Sequence, residues 1–204
     1  ETTLANSVHL VVPRLADECI AYLLNDEGGI EHIEVTHVLP DKTQLARDML
    51  RLYPPDPAAA FGLGGVIRTG EPWLVSQFPA PEDWPAVRDE RHLDMIRRLG
   101  PQSYLTVALC SHGRTLGAMQ FVITESARRF HDSDVRFAQE LADRFALAIE
   151  NARLYRAEQR ARVETTKALA WLDTVLTTAP VGLGILDNDW RYIHVNDALA
   201  AMNG

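Results

Sequence analysis

Hydrophobic residues recur at helical spacing through residues 133–178, a stretch that contains neither glycine nor proline. Ser133 can cap the start of a helix, Asp134 suits the positive end of its dipole, and Pro180 lies just beyond its end. At about 1.5 Å per residue such a helix is roughly 70 Å long, more than a domain of this size needs for its own core. The pattern therefore predicts one long helix that connects two folded units.

The apolar positions of this helix predict a face for self-association. They follow alternating steps of three and four, which is the 3.5-residue period of a coiled-coil or bundle seam. The same register puts Gln159 and Arg162 on the seam, and an apolar stripe resumes beyond them in a shifted phase. The alternative is a helix whose first half packs on its own sheet and whose second half is solvated. The predicted seam comprises Ala138, Leu141, Phe145, Ala148, Ala152 and Tyr155.

Two β-hairpins are predicted before the long helix. Strands at 19–24 and 30–38 flank an Asn-Asp-Glu-Gly-Gly turn, and glycine and asparagine tolerate the positive φ angles that such turns need. Strands at 104–110 and 115–124 flank a Ser-His-Gly-Arg turn. The two segments therefore predict the paired strands of an antiparallel sheet.

Helices and irregular segments surround the hairpins. We expect a short helix at 3–12 and an amphipathic helix at 42–53 with Leu45, Met49 and Leu52 on one face. The less regular insertion at 54–102 is expected to hold the following elements: flexible turns at Gly62, Gly64 and Gly65, a short strand at 73–76, and a helix at 87–99. This order predicts an α+β fold, a central antiparallel sheet with the terminal helices on one face and the insertion over the other.

The composition limits the classes of binding partner that we expect. The chain has 204 residues, is 47% hydrophobic and carries a net charge of −8, without a basic cluster free of acids, which argues against nucleic acid and anionic membranes. No apolar run approaches the length of a membrane span and no signal-peptide pattern is present, so we expect a cytoplasmic protein. Because the sequence starts at Glu1 rather than Met, we expect a fragment of a longer protein.

Four sequence strings resemble the GAF domain of bacterial sensor histidine kinases and related multidomain regulators. They are LYPPDP, GVIRTGEPWLVSQF, SYLTVALCSHGRTLGAMQFV and RRFHDSDVRFAQELADRFALAIENARLY. The resemblance covers residues 1–156. The string that follows, LDTVLTTAPVGLGILDNDWRYIHVNDALAAMNG, resembles the opening of a PAS domain. We therefore expect a GAF domain at 1–156, a signalling helix at 157–178 and an incomplete PAS domain at 179–204.

The resemblance implies a module that senses a small molecule or partner, dimerises through its terminal helices and biases an output domain of the same parent chain. A sensor histidine kinase is the expected parent. The alternative is a non-sensing dimerisation scaffold in a signalling phosphatase or a diguanylate cyclase. The cyclic-nucleotide signature NKFDE is absent, and no bilin attachment or haem motif is evident, so no covalent chromophore is expected and the cofactor stays unknown.

A ligand pocket is expected between the sheet and the 54–102 insertion, where large apolar groups and a few polar ones concentrate. The alternative is that these aromatic residues plug a small core of their own. The candidate ligand-binding residues are Phe61, Trp73, Phe78, Trp84, His92, Met95 and Tyr104.

The sequence gives little support for catalysis or metal binding. Cys19 and Cys110 form no CxxC pair and are expected to be small hydrophobic residues in strands. Cys110 and His112 share a face, but two ligands are too few for a stable metal site. The enzymatic alternative is a methionine sulfoxide reductase of GAF type, which needs a reactive cysteine that neither position indicates. We therefore expect no catalytic residue in this chain.

Overall fold

The computed structural model describes residues 11–203, so the helix expected at 3–12 lies almost wholly outside the described residues. The chain divides into two compact units, Glu1–Asn151 and Ala152–Gly204. The first unit contains β1 (Glu18–Leu24), β2 (Ile30–His37), α1 (Pro40–Leu52), α2 (Gly62–Thr69), β3 (Trp73–Val75), a 3-10 helix (Pro81–Asp83), α3 (Glu90–Leu99), β4 (Ser103–Ser111) and β5 (Arg114–Ile123). The long helix α4 (Asp132–Thr178) has residues in both units, and β6 (Gly184–Leu186), β7 (Tyr192–Val195) and α5 (Asp197–Asn203) belong to the second.

Five strands form an antiparallel sheet in the order β2-β1-β5-β4-β3, which contains both predicted hairpins. In the first hairpin the Asn25 side chain accepts hydrogen bonds from the amides of Glu27 and Gly29, at 3.0 and 2.8 Å. In the second, His112 and Gly113 both have positive φ, which gives the tight two-residue turn that fits strand twist. The turn chemistry thus fixes both registers.

Alternate residues of the central strands face two different layers. Cys19, Leu105 and Phe121 pack with the buried face of α4, whose residues Ala138 and Ala146 are fully buried. Their strand neighbours point to the opposite face, where α1, α2 and α3 cover the sheet. The predicted α+β layering is confirmed for α4 on one face and the insertion on the other, and the described residues do not test the position of the helix expected at 3–12.

Two local predictions need correction. Leu52 of α1 is 41% exposed, and Ala46 and Leu50 are the buried residues of that helix, with Leu45 and Met49 partly buried beside them. The glycine-rich segment at 62–65 is not a flexible turn but the first turn of α2. Close packing explains its composition, since a Cβ at Gly64 would lie 2.5 Å from the carbonyl oxygen of Ala59.

The start and the seam of α4 also differ from expectation. The helix begins at Asp132, so Ser133 lies inside it, and the amide of His131 donates to the Asp134 carboxylate at 2.8 Å. Ala138 is fully buried, and Leu141 and Phe145 are packed against the chain's own core, because the sheet competes for the same apolar side of the helix. The first half of the predicted seam is therefore not a free surface. Ala148 and Tyr155 are exposed and Ala152 is half-buried.

The second unit contains a two-stranded hairpin, β6 with β7, followed by α5. The amide of Leu183 donates to the Asn196 side chain at 2.8 Å, and that side chain donates to the carbonyl of Val181 at 2.9 Å. Asn196 also accepts from the amide of Leu199, at 3.0 Å. This buried asparagine thereby joins the start of the hairpin to the start of α5.

Candidate ligand-binding site

A cavity of about 520 Å³ lies between the sheet and the insertion of the first unit. Ile20, Tyr22, Tyr104 and Val122 form its floor, all on the sheet face opposite α4. Residues of α1, α2, α3 and the segments between them form its walls. The volume is typical of cavities that take small organic molecules.

Four aromatic side chains pack together on one side of this cavity. Trp84 lies 6.1 Å from Trp73 in a stacked arrangement and 4.5 Å from Phe78, measured between ring centroids. The ring centroids of Trp73 and Trp84 each lie 5.5 Å from that of Tyr104, with nearly perpendicular ring planes. Edge-to-face and offset pairs of this kind hold rings in fixed positions. The rings fill part of the insertion core, yet they leave a cavity beside them.

The structure brings six of the seven predicted residues to the cavity. Met95 is the exception: it is a buried residue of α3 that does not line the space. Phe61 lines the cavity although it is 81% exposed. The six lining residues are Phe61, Trp73, Phe78, Trp84, His92 and Tyr104.

Gly62 holds one of the rings in place. Its φ is +63°, and a Cβ at this position would lie 2.2 Å from Cζ3 of Trp73. Only glycine combines that backbone conformation with such a close ring contact. The first residue of α2 is therefore shaped around the aromatic cluster.

Hydrogen bonds connect the residue after α1 with the residue before α3 at one side of the cavity. The hydroxyl of Tyr53 donates to both carboxylate oxygens of Asp89, at 2.7 and 2.9 Å, and its ring stacks on His92 at 4.3 Å. Bonds from the His92 amide and from Tyr53 hold the pKa of Asp89 below its ordinary value. Burial and the nearby Arg88 charge lower the pKa of His92. The Arg88 amide donates to His92 Nδ1 at 3.3 Å, so the neutral ring carries its proton on Nε2.

One carboxyl group lies at the base of the cavity. Glu18 of β1 lines it, is only 3% exposed, and its Oε1 has no hydrogen-bond partner among the described residues. Burial raises the pKa of Glu18 to about 8, against a smaller lowering by the charge of Lys42. Nearby, the hydroxyl of Tyr22 donates to Oε1 of Gln120 at 3.2 Å, and burial raises the pKa of Tyr22.

These polar floor residues are not among the candidates predicted from the sequence. Glu18, Tyr22 and Gln120 all lie in apolar strands. The sequence signal that could identify them is a polar residue that alternates in step with the core residues of its strand. Alternate residues of a strand face opposite sides of the sheet. Which of the two sets faces the cavity depends on the pairing with the neighbouring strand, which only the structure shows. Polar groups in an otherwise apolar floor are the features that orient a ligand.

The two cysteines lie apart from the cavity. Cys19 is fully buried in the core shared with α4, and burial raises the pKa of its thiol. Cys110 is half-buried with its sulfur 3.7 Å from the Thr115 hydroxyl. Within residues 11–203, no group of three or more His, Cys, Asp or Glu side chains could hold a metal ion, and no helix is long and apolar enough to cross a membrane.

Comparison with solved structures places this fold among GAF domains. The second GAF domain of DevS from Mycobacterium smegmatis has a TM-score of 0.54 and 16% identity, over 77% of this chain and 97% of that one. A domain of a two-component sensor histidine kinase protein, described as putative, from Sinorhizobium meliloti gives 0.54 and 16%, over 78% and 97%. A GAF domain/HD domain protein from Geobacter sulfurreducens gives 0.53 and 15%, over 75% and 93%.

Among curated protein sequences nothing matches the chain. The sequence model of the GAF domain matches residues 1–149, which comprise the sheet, the cavity and the sheet-packed part of α4. The chain therefore belongs to the GAF domain family.

Proposed function

We propose that this chain is the sensory region of a cytoplasmic bacterial signal-transduction protein, in which the GAF domain binds a small molecule and α4 relays the event. The proposal rests on the 520 Å³ cavity and on its buried Glu18 carboxyl oxygen, which has no hydrogen-bond partner within residues 11–203. A filled core would leave neither the space nor the unsatisfied group, because an unpaired buried polar atom is costly.

The sheet gives a short route from the cavity to α4. Tyr104 faces the cavity, and its chain neighbour Leu105 packs in the core shared with α4. The side chain of Gln139 also donates to the carbonyl of Ala108 at 3.0 Å, and Glu150 accepts from the Ser111 hydroxyl at the hairpin tip. A ligand that shifts β4 therefore acts on α4 at several points. A tenfold bias between two states needs only about 1.4 kcal/mol of differential binding.

Homodimerisation through α4 is part of the proposal. The residues from 160 to 175 are all exposed, including the large apolar side chains of Leu169 and Trp171. Among residues nearer the sheet, Phe137, Leu147 and Leu154 are exposed as well. A second copy of α4 would cover such positions, and Ala148, Ala152 and Tyr155 remain proposed interface residues.

The parent protein is proposed to be a sensor histidine kinase. The similar domain from Sinorhizobium meliloti is described as part of a two-component sensor histidine kinase protein, which supports this choice by analogy. For the second unit we propose the opening of a PAS domain, on the strength of its hairpin and following helix.

Native mass spectrometry tests the function with one pair of variants. Val122→Phe fills the cavity floor, and Val181→Phe makes the same change at an exposed position beyond α4. We expect a dimer with additional small-molecule mass for the wild type and for Val181→Phe, and a dimer without that mass for Val122→Phe. A dimer that never carries additional mass contradicts sensing and favours the scaffold, and a monomer contradicts dimerisation.

A further inference from the structure

The carboxyl group of Glu18 has a position that folding alone does not explain. It lies in β1 opposite His37 of β2 and Val122 of β5, on the cavity face of the sheet. It is 3% exposed, and its Oε1 is without a partner among the described residues. Burial of an unpaired carboxyl group destabilises a fold, so a group retained there is suited to a ligand.

Strand pairing sets the distance between this carboxyl group and the aromatic cluster. Glu18, Val122 and Tyr104 form one cross-strand row over β1, β5 and β4. Neighbouring strands lie about 4.8 Å apart, so the row places the backbones of Glu18 and Tyr104 roughly 10 Å from each other. One small molecule can therefore contact the rings around Tyr104 and reach Glu18 at its other end.

The other two ionised side chains of the lining have opposite charges. Asp56 is an exposed carboxylate, and the guanidinium of Arg88 donates to the carbonyl of Pro54 at 2.7 Å. Trp73 and Trp84 also line the cavity, and indole rings are the aromatic side chains that attract organic cations most strongly.

We infer that the ligand of this cavity is a small organic cation, an aromatic or apolar body with an amine or amidine group whose N–H bonds are accepted by the Glu18 carboxylate. This inference rests on the proposed ligand-binding function and assigns its chemical class. Donors of this kind form the strongest hydrogen bonds with a buried carboxylate.

Binding of such a cation is coupled to ionisation of Glu18. Around it lie Cys19 and Tyr22 on β1, His37 on β2 and Lys42 on α1. Burial raises its pKa to about 8, against a smaller lowering by the charge of Lys42. The carboxyl group is therefore mostly protonated at pH 7 before the cation enters. The cation stabilises the ionised form, so close to one proton is released for each molecule bound.

A matched set of aromatic probes tests the inference on the full chain. The cations tryptamine and benzylamine are compared with the neutral tryptophol and benzyl alcohol and with the anions indole-3-acetate and benzoate, by calorimetry and ligand-observed NMR. We expect the cations to bind at least 10-fold more tightly than their neutral counterparts. That ratio should fall to about one in Glu18→Gln and stay unchanged in Glu27→Gln, an exposed turn residue.

Calorimetry of the wild type at pH 7 in phosphate and in Tris gives a second measurement that needs no variant. Release of close to one proton per bound cation supports the inference, and absence of buffer dependence overturns it. Neutral or anionic probes that bind as tightly, with no effect of Glu18→Gln, overturn the cation class and leave the proposed ligand site standing. If no probe of any charge binds, the ligand site itself is refuted.

Discussion

Replacement of Glu18 by glutamine should make the stability of the protein less sensitive to pH. The ordinary pKa of a glutamate is 4.5, and burial raises the pKa of Glu18 to about 8 in the folded state. Between these values the unfolded chain has lost a proton that the folded protein keeps. Stability contributed in this way is present below pH 4.5 and is lost as the pH rises through 8.

The size of the effect follows from the two pKa values. At about 1.4 kcal/mol per pKa unit, the wild type should lose about 4 kcal/mol between pH 5 and pH 8.5 relative to Glu18→Gln. A buried glutamine without a partner has its own cost of about 1–3 kcal/mol, but that cost does not depend on pH. The slope of the difference, and not its absolute value, therefore measures Glu18.

Urea unfolding followed by circular dichroism across pH 5 to 8.5 gives the free energies of unfolding. Glu27→Gln serves as the control, because that exposed side chain should leave the pH dependence of the wild type unchanged. A difference between wild type and Glu18→Gln that stays flat over this range would refute the buried, protonated carboxyl group.

Three further changes have definite expected results. Gly62→Ala should destabilise the protein by at least about 1 kcal/mol and displace Trp73, because the φ of Gly62 is +63° and the Trp73 ring contacts this position. Near-ultraviolet circular dichroism should show the displacement, and an unchanged spectrum argues against that packing. Asp17→Asn should cost about 2 kcal/mol at pH 7, because the Asp17 carboxylate accepts hydrogen bonds from three backbone amides after β5. These bonds outweigh the effect of burial and lower its pKa, so the wild type should lose stability below pH 4 and the variant should not. Acid titration of both proteins checks this, and equal acid sensitivity contradicts it. Glu150→Gln should speed amide hydrogen exchange at the hairpin tip around His112 but not at the centre of the sheet, because it removes the charge that binds the tip to α4. Exchange rates at the tip equal to those of the wild type would show that Glu150 does not hold the tip.

Local chemistry in the sequence predicts much of the fold. Alternation in 19–24 and 104–124 and the turn residues Asn25 and Gly113 were enough to place both hairpins. The flexible turns predicted from the glycines at 62–65 were wrong, because close packing and flexible turns both require glycine. The aromatic part of the site could be predicted from its concentration in one segment.

The carboxyl group at the cavity floor could not be predicted in the same way. Whether Glu18 faces the cavity or α4 depends on its pairing with Val122, a residue far away in the chain. The seam of α4 poses the same problem, since Leu141 and Phe145 can pack on the chain's own sheet or on a second copy. Tertiary packing decides between such surfaces, and periodicity does not.

Methyl NMR of the wild-type chain with the six aromatic probes tests the central account most directly. Methyl groups of Ile20 and Met49 report the cavity, and those of Ala146 and Ile149 report the sheet-packed face of α4. We predict that a cationic probe shifts the cavity methyl signals and, at the same saturation, those on α4. Cavity signals that no probe moves would contradict the ligand site, and cavity shifts without any response on α4 would contradict the relay.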